Sequence, residues 1–159
     1  MGFKKVCLVL FYCAVMICKV QSQAFYKMPI DASITYEVSG GFAPSYTQVC
    51  IKSKSLTYTE QKISGKKKYW KCTIQSKDAV ALYNEIIKEK VHLIESDDMM
   101  VADGISKKII FSTNKKKTCT VEFGDGNKLA PTDLAKCHSI ENAIEELVKK
   151  YAKTHNHDI

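Results

Sequence analysis

The sequence predicts an α+β fold: an antiparallel sheet of about four to six strands, two main helices on one face, and disulfide bracing. Three observations point there. Strand-like segments come in runs, four and then two, each run closed by one helical segment, which is the order of an α+β domain rather than of βαβ units. Within those segments apolar and polar residues alternate, so each strand has one face for a core and one for water. An apolar leader precedes an even set of four cysteines, the pattern of an exported, disulfide-bearing domain.

The leader is residues 1–22. Lys4 and Lys5 give it a basic start, Val6 to Cys18 is an uncharged apolar run, and Val20 and Ser22, or Ser22 and Ala24, are the small residues of a cleavage site. A membrane anchor needs about 20 apolar residues, and Lys19 ends this run too early. A signal peptide is therefore expected, with no transmembrane segment after it and an extracellular destination. Residues 23–33 form a lead, 34–154 one α+β domain, and 155–159 a mobile tail. Removing the leader takes away Cys7, Cys13, Cys18 and three lysines, leaving 21 lysines against 17 acids, a net charge of +4.

Ile34, Tyr36 and Val38 alternate with Thr35 and Glu37 in the first strand. Ser39-Gly40-Gly41-Phe42-Ala43-Pro44 then breaks the pattern, with two glycines followed at once by an aromatic and a proline. The second strand places Thr47, Val49 and Ile51 on one face and Gln48, Cys50 and Lys52 on the other. "SLTYTEQKI" is a third, more polar strand. Gly65 and Lys66 to Lys68 make a charged turn, after which Trp70, Cys72 and Ile74 share a face.

Ser76 is suited to cap the first helix, with Asp78 in its first turn. Ala79, Leu82, Tyr83, Ile86, Ile87 and Ile94 carry its apolar stripe. An acidic connection around Asp97 and Asp98 leads to a hairpin, "ISKKIIFST" and "TCTVEFG", whose Cys119, Val121 and Phe123 share a face. Pro131 and Thr132 fit a short helical turn. Ser139 is suited to cap a final helix whose stripe is Ile140, Ile144, Leu147, Val148 and Tyr151. Cys50, Cys72, Cys119 and Cys137 are expected to form two disulfides. Cys50–Cys72 and Cys119–Cys137 are the first choice of three connectivities, although Cys50 and Cys72 read as facing opposite ways unless a bulge intervenes.

Catalytic patterns are missing. His92, His138, His155 and His157 stand without the partners a nucleophile needs, and the Asp97-Asp98 and Asp103 spacing does not match a calcium loop. The expectation is a non-enzyme with no cofactor and no metal. The lysine runs 66–68 and 115–117 lie in turns, but the chain contains no arginine, the residue suited to bidentate phosphate and base recognition. Nucleic acid is therefore not expected as a partner.

Ile34, Tyr36, Val38, Gly40, Gly41 and Phe42, then Asp103, Gly104 and Ile105, then Val121, Phe123, Pro131 and Leu134 form a pattern that resembles emfourin and its relatives. Emfourin is a small proteinaceous inhibitor of thermolysin-like metalloproteases, and its many relatives are uncharacterised. This chain differs from them in its four cysteines and in the turn at Lys66 to Lys68. The resemblance implies a monomeric, protein-binding module whose partner is an extracellular protease. Gly40, Gly41, Phe42, Pro44 and Tyr46 are the contact candidates in a loop stiffened by its proline; the rival reading of the same stretch makes Gly40-Gly41 a bulge and folds Phe42 back onto the core. The alternative reading is a cationic host-defence or surface-binding protein acting through its lysine-rich turns.

Overall fold

Among the described residues, six antiparallel strands and two α-helices build the domain. The computed structural model describes residues 27–41, 45–96, 104–113, 116–126 and 128–155. The expected signal peptide and residues 156–159 of the expected tail lie outside them, as do Phe42, Pro44 and Asp103. The strands are β1 (Ser33–Gly40), β2 (Ser45–Lys52), β3 (Ser55–Gln61), β4 (Lys67–Thr73), β5 (Ile105–Thr113) and β6 (Lys116–Gly124). They pair in the order β4-β3-β2-β1-β5-β6, so β1 is central and β4 and β6 are the edges.

Register carries the period-2 pattern straight across the sheet. Tyr36 lies opposite Val49 and Ile109, and those rows continue to Tyr58, Trp70 and Val121. Ile34 opens the neighbouring row with Ile51, Leu56 and Phe111. Both rows face the helices; the other face carries Thr35, Glu37, Gln48, Thr57 and Lys108.

Helix α1 (Ser76–Lys88) buries Ala79, Leu82 and Ile86 and leans Tyr83 against Phe111, with ring centres 5.6 Å apart. A short 3-10 turn, Val91–Leu93, follows. Helix α2 runs unbroken over Pro131–His155, 25 residues, so Ser139 lies inside the helix and caps nothing. Pro131 sits where a helix needs no N–H. Cys137, Ile140, Ile144, Leu147 and Tyr151 then keep one buried stripe at spacings of three and four. Assigning Cys137 to a loop disulfide hides that stripe's first turns.

Gln75, not Ser76, takes the cap position of α1, and its side chain makes no capping bond. Tyr151 from α2 does this work: its hydroxyl accepts from Gln75 N at 2.9 Å and donates to Asp78 Oδ2 at 2.5 Å, while Lys150 Nζ reaches the same oxygen at 2.7 Å. The end of α2 is thereby tied to the start of α1.

The disulfide expectation is not met. No disulfide joins any two of Cys50, Cys72, Cys119 and Cys137. The pairings β2–β3 and β3–β4 run without a bulge, which leaves Cys50 on the open face and Cys72 on the helix-covered face. Two strand spacings, about 9.6 Å, also separate them, beyond the roughly 7 Å a disulfide spans. Cys137 is fully buried in the α2 stripe, and burial pushes its thiol up to about 11. Burial likewise raises Cys72. Both are poor nucleophiles, since the thiolate is the reactive form.

Candidate functional site

One end of the sheet gathers the β1–β2 loop, the start of β5 and the end of β6. The backbone there is pinched. Gly40 has φ +101°, and a Cβ on it would stand 2.2 Å from the Gly104 carbonyl oxygen. Gly41 N donates to that same oxygen at 3.3 Å. On the far side, Gly124 has φ +132° and a Cβ there would meet the Ile105 carbonyl oxygen at 2.1 Å. Asp125 clamps the strand start: its carboxylate accepts from Ile105 N at 2.9 Å, and its own N–H donates to Ile105 O at 3.0 Å. With its backbone held on both sides, Ile105 turns an apolar side chain outward, 41% exposed, 3.7 Å from where a Cβ of Gly41 would sit.

Gly40 and Gly41 are thus brought against Gly104 and Ile105, two stretches more than 60 positions apart in the chain. Tyr46 is placed differently. It projects from the open face beside Gln48, and both donate to Glu37 Oε1, at 3.1 and 2.8 Å. Burial and the Glu37 charge push Tyr46 up to about 12, so it stays a neutral donor. Its role is to fix the base of the loop. Phe42 and Pro44 lie outside the described residues.

Behind this end, under α2, lies a buried carboxylate. Glu141 receives a hydrogen bond from the Tyr36 hydroxyl, an ion pair from Lys107 Nζ at 2.7 Å, and a contact from His138 Nδ1 at 2.9 Å. The His138 ring meets the Phe123 ring edge-on at 5.6 Å. Burial alone would raise Glu141, but bonds from Lys107, Tyr36 and His138 outweigh it and hold the carboxyl below its usual range. Burial, and then Glu141 itself, push Tyr36 far up. Every strong acceptor position is thus taken by a donor of the same protein, as expected of a buried charge that positions structure. The site joins the helix-covered face of β1 and β5 to the first half of α2.

No protein-family model matches the chain, and no curated protein matches it. Its reading therefore rests on its own geometry. Among the described residues no three His, Cys, Asp or Glu side chains converge as a metal requires. Nor is any helix among them long and apolar enough to cross a membrane. A groove of about 370 Å³ between α1 and α2 has a floor of Ala81, Leu82, Ala143 and Leu147, and Lys150, tied to Asp78, closes one end.

Sequence reasoning missed the Glu141 cluster, although two signals for it exist. Lys107 alternates with Ile109 and Phe111 and so points inward. Glu141 falls one turn from Cys137 and Ile144, within the apolar stripe of α2. Two opposite charges at inward positions announce a buried pair.

Proposed function

We propose that this chain is an exported, non-enzymatic protein-binding domain that presents the loop 39–46 together with Ile105, and that its partner is an extracellular protease. The observation that carries the reading is the pinched sheet end. Gly40 and Gly124 allow the backbone to close on Gly104 and Ile105, and the apolar Ile105 side chain is held outward beside Gly41. Such an arrangement lowers the ordering cost of binding. The two segments that meet there, Gly40-Gly41 and Gly104-Ile105, are among those that carry the resemblance to metalloprotease inhibitors. Phe42 supplies the aromatic anchor.

Disulfide bracing keeps a smaller place in this proposal. Cys119 and Cys137 both belong to the helix-covered side, whereas Cys50 faces away from the other three positions. One internal bridge at most is compatible with this sheet.

The test is capture of exported proteins on the immobilised mature chain, followed by an inhibition assay on each protease retained. Phe42→Ala should keep its melting temperature and weaken binding by about 2 kcal/mol. A destabilised variant with unchanged affinity would assign Phe42 to the core and remove the recognition role.

A further inference from the structure

The β3–β4 hairpin carries a charge excess that the proposed loop contact does not use. Residues 55–73 hold Lys62, Lys66, Lys67, Lys68 and Lys71 against a single acid, Glu60, a net +4. The β5–β6 hairpin, residues 105–124, carries the same net +4, but two of its lysines, Lys107 and Lys108, are paired with Glu141 and Glu122. Glu60 is already occupied by Lys62 at 3.8 Å and by the Tyr58 hydroxyl at 3.2 Å. Lys66, Lys67, Lys68 and Lys71 have no ion pair among the described residues, and every residue from Gln61 to Tyr69 is exposed.

The geometry of this charge is linear. β4 is an edge strand. Lys67, Tyr69 and Lys71 alternate onto its open face, with about 6.8 Å between successive side chains. Tyr69 is 58% exposed between the two ammonium groups. Protection of a sheet edge would account for one or two lysines there. It does not account for four lysines without an ion pair among the described residues gathered around an exposed aromatic.

We propose that the β4 edge is a binding site for a linear sulfated polysaccharide, the chain lying along Lys67, Tyr69 and Lys71 with Lys66 and Lys68 at its flank. Lysines supply point charges for sulfates, and the Tyr69 ring supplies a flat surface for a sugar face. Nucleic acid fits less well, because the sequence has no arginine for bidentate phosphate and base contacts. An anionic bilayer fits less well too. Ile63 is the one large apolar side chain exposed in the hairpin turn, and the lysines continue along the strand away from that turn.

The probe is heparin, bound to the mature chain and followed by calorimetry at low and physiological salt. Binding should weaken steeply as salt rises. Lys67→Ser/Lys71→Ser should weaken it about tenfold or more, with an unchanged melting temperature. The control is Lys77→Ser/Lys153→Ser, which removes the same charge from exposed helical positions and should change affinity less than about twofold. Equal losses in the two double variants would mean that only net charge matters and would overturn the site. So would no heparin binding, or equal affinity for desulfated heparin, for single-stranded DNA of matched charge, or for vesicles rich in phosphatidylserine. Lys67 shares a cross-strand row with Tyr46, so protease binding is read separately on Lys71→Ser, whose row runs through Thr57 and Cys50 away from the loop, and the two proposals can fail or succeed independently.

Discussion

Gly40 and Glu141 are the two residues on which the sheet end depends, for different reasons. At Gly40 a side chain meets backbone, not a movable side chain, and the φ is one that L residues rarely adopt. Gly40→Ala should therefore cost several kcal/mol, on the scale of strained backbone plus a steric clash. Gly65 has a similar φ of +77° but open space around it, and Gly65→Ala should cost only about 1 kcal/mol. Chemical denaturation of both variants separates close approach from backbone preference.

At Glu141 the charge is what matters. Glu141→Gln leaves Lys107 partly buried without its partner and should destabilise by about 3 kcal/mol. Replacing both, Lys107→Met/Glu141→Leu, should recover part of that loss. Glu141 and Asp78 both have folded-state pKa values below their ordinary 4.5 and 3.8, Asp78 through its bonds from Lys150 and Tyr151. A depressed carboxylate contributes stability that is complete above its unfolded pKa and disappears as pH falls through the folded value. Unfolding free energy should therefore be flat down to about pH 5 and decline below about pH 4.5. The decline should be shallower in Glu141→Gln and Asp78→Asn.

At the scale of elements, the two helices depend on each other. α1 begins where Tyr151 of α2 satisfies Gln75 N and orients Asp78. Tyr151→Phe keeps the ring and removes the hydroxyl, and should cost about 1–2 kcal/mol. Ser139→Ala should be neutral within about 0.5 kcal/mol, because Ser139 stands inside a helix. Thermal unfolding of the pair distinguishes the continuous α2 from a helix that opens at Ser139. The six strands, and the faces of β1, β2, β4 and β6, were legible in the sequence, since alternation such as Ile34-Tyr36-Val38 is a local property that register carries across the sheet unchanged. The start of α2 was not, because Cys137 reads as a loop cysteine until the stripe before and after it is joined. The bond at the start of α1 was not legible either, because the hydroxyl that accepts from Gln75 N lies 76 positions away. At the candidate site, Gly40 and Gly41 were marked by their break in the strand pattern. Their contact with Gly104 and Ile105 is a product of strand order, which no local pattern contains.

For the whole molecule, a single sheet with both helices on one side leaves two different surfaces. Trp70 belongs to the covered one: it is 7% exposed and stacks on Tyr58 with ring centres 5.4 Å apart. Trp70→Ala should cost about 3–5 kcal/mol in chemical denaturation. The sheet end is the exposed counterpart, held rigid by the Glu141 cluster behind it and by the glycine contacts within it. The proposed function assigns this rigidity to presentation: Gly41 and the Ile105 side chain would meet a partner in one geometry.

Titration of thermolysin with the mature chain, wild type and Ile105→Ala in parallel, tests that claim most directly, with the melting temperature of each recorded. The account predicts that the wild type inhibits, and that Ile105→Ala melts at the same temperature but inhibits about tenfold more weakly, as for loss of a central apolar contact. An absence of inhibition by the wild type, or full inhibition by a normally folded Ile105→Ala, would contradict it.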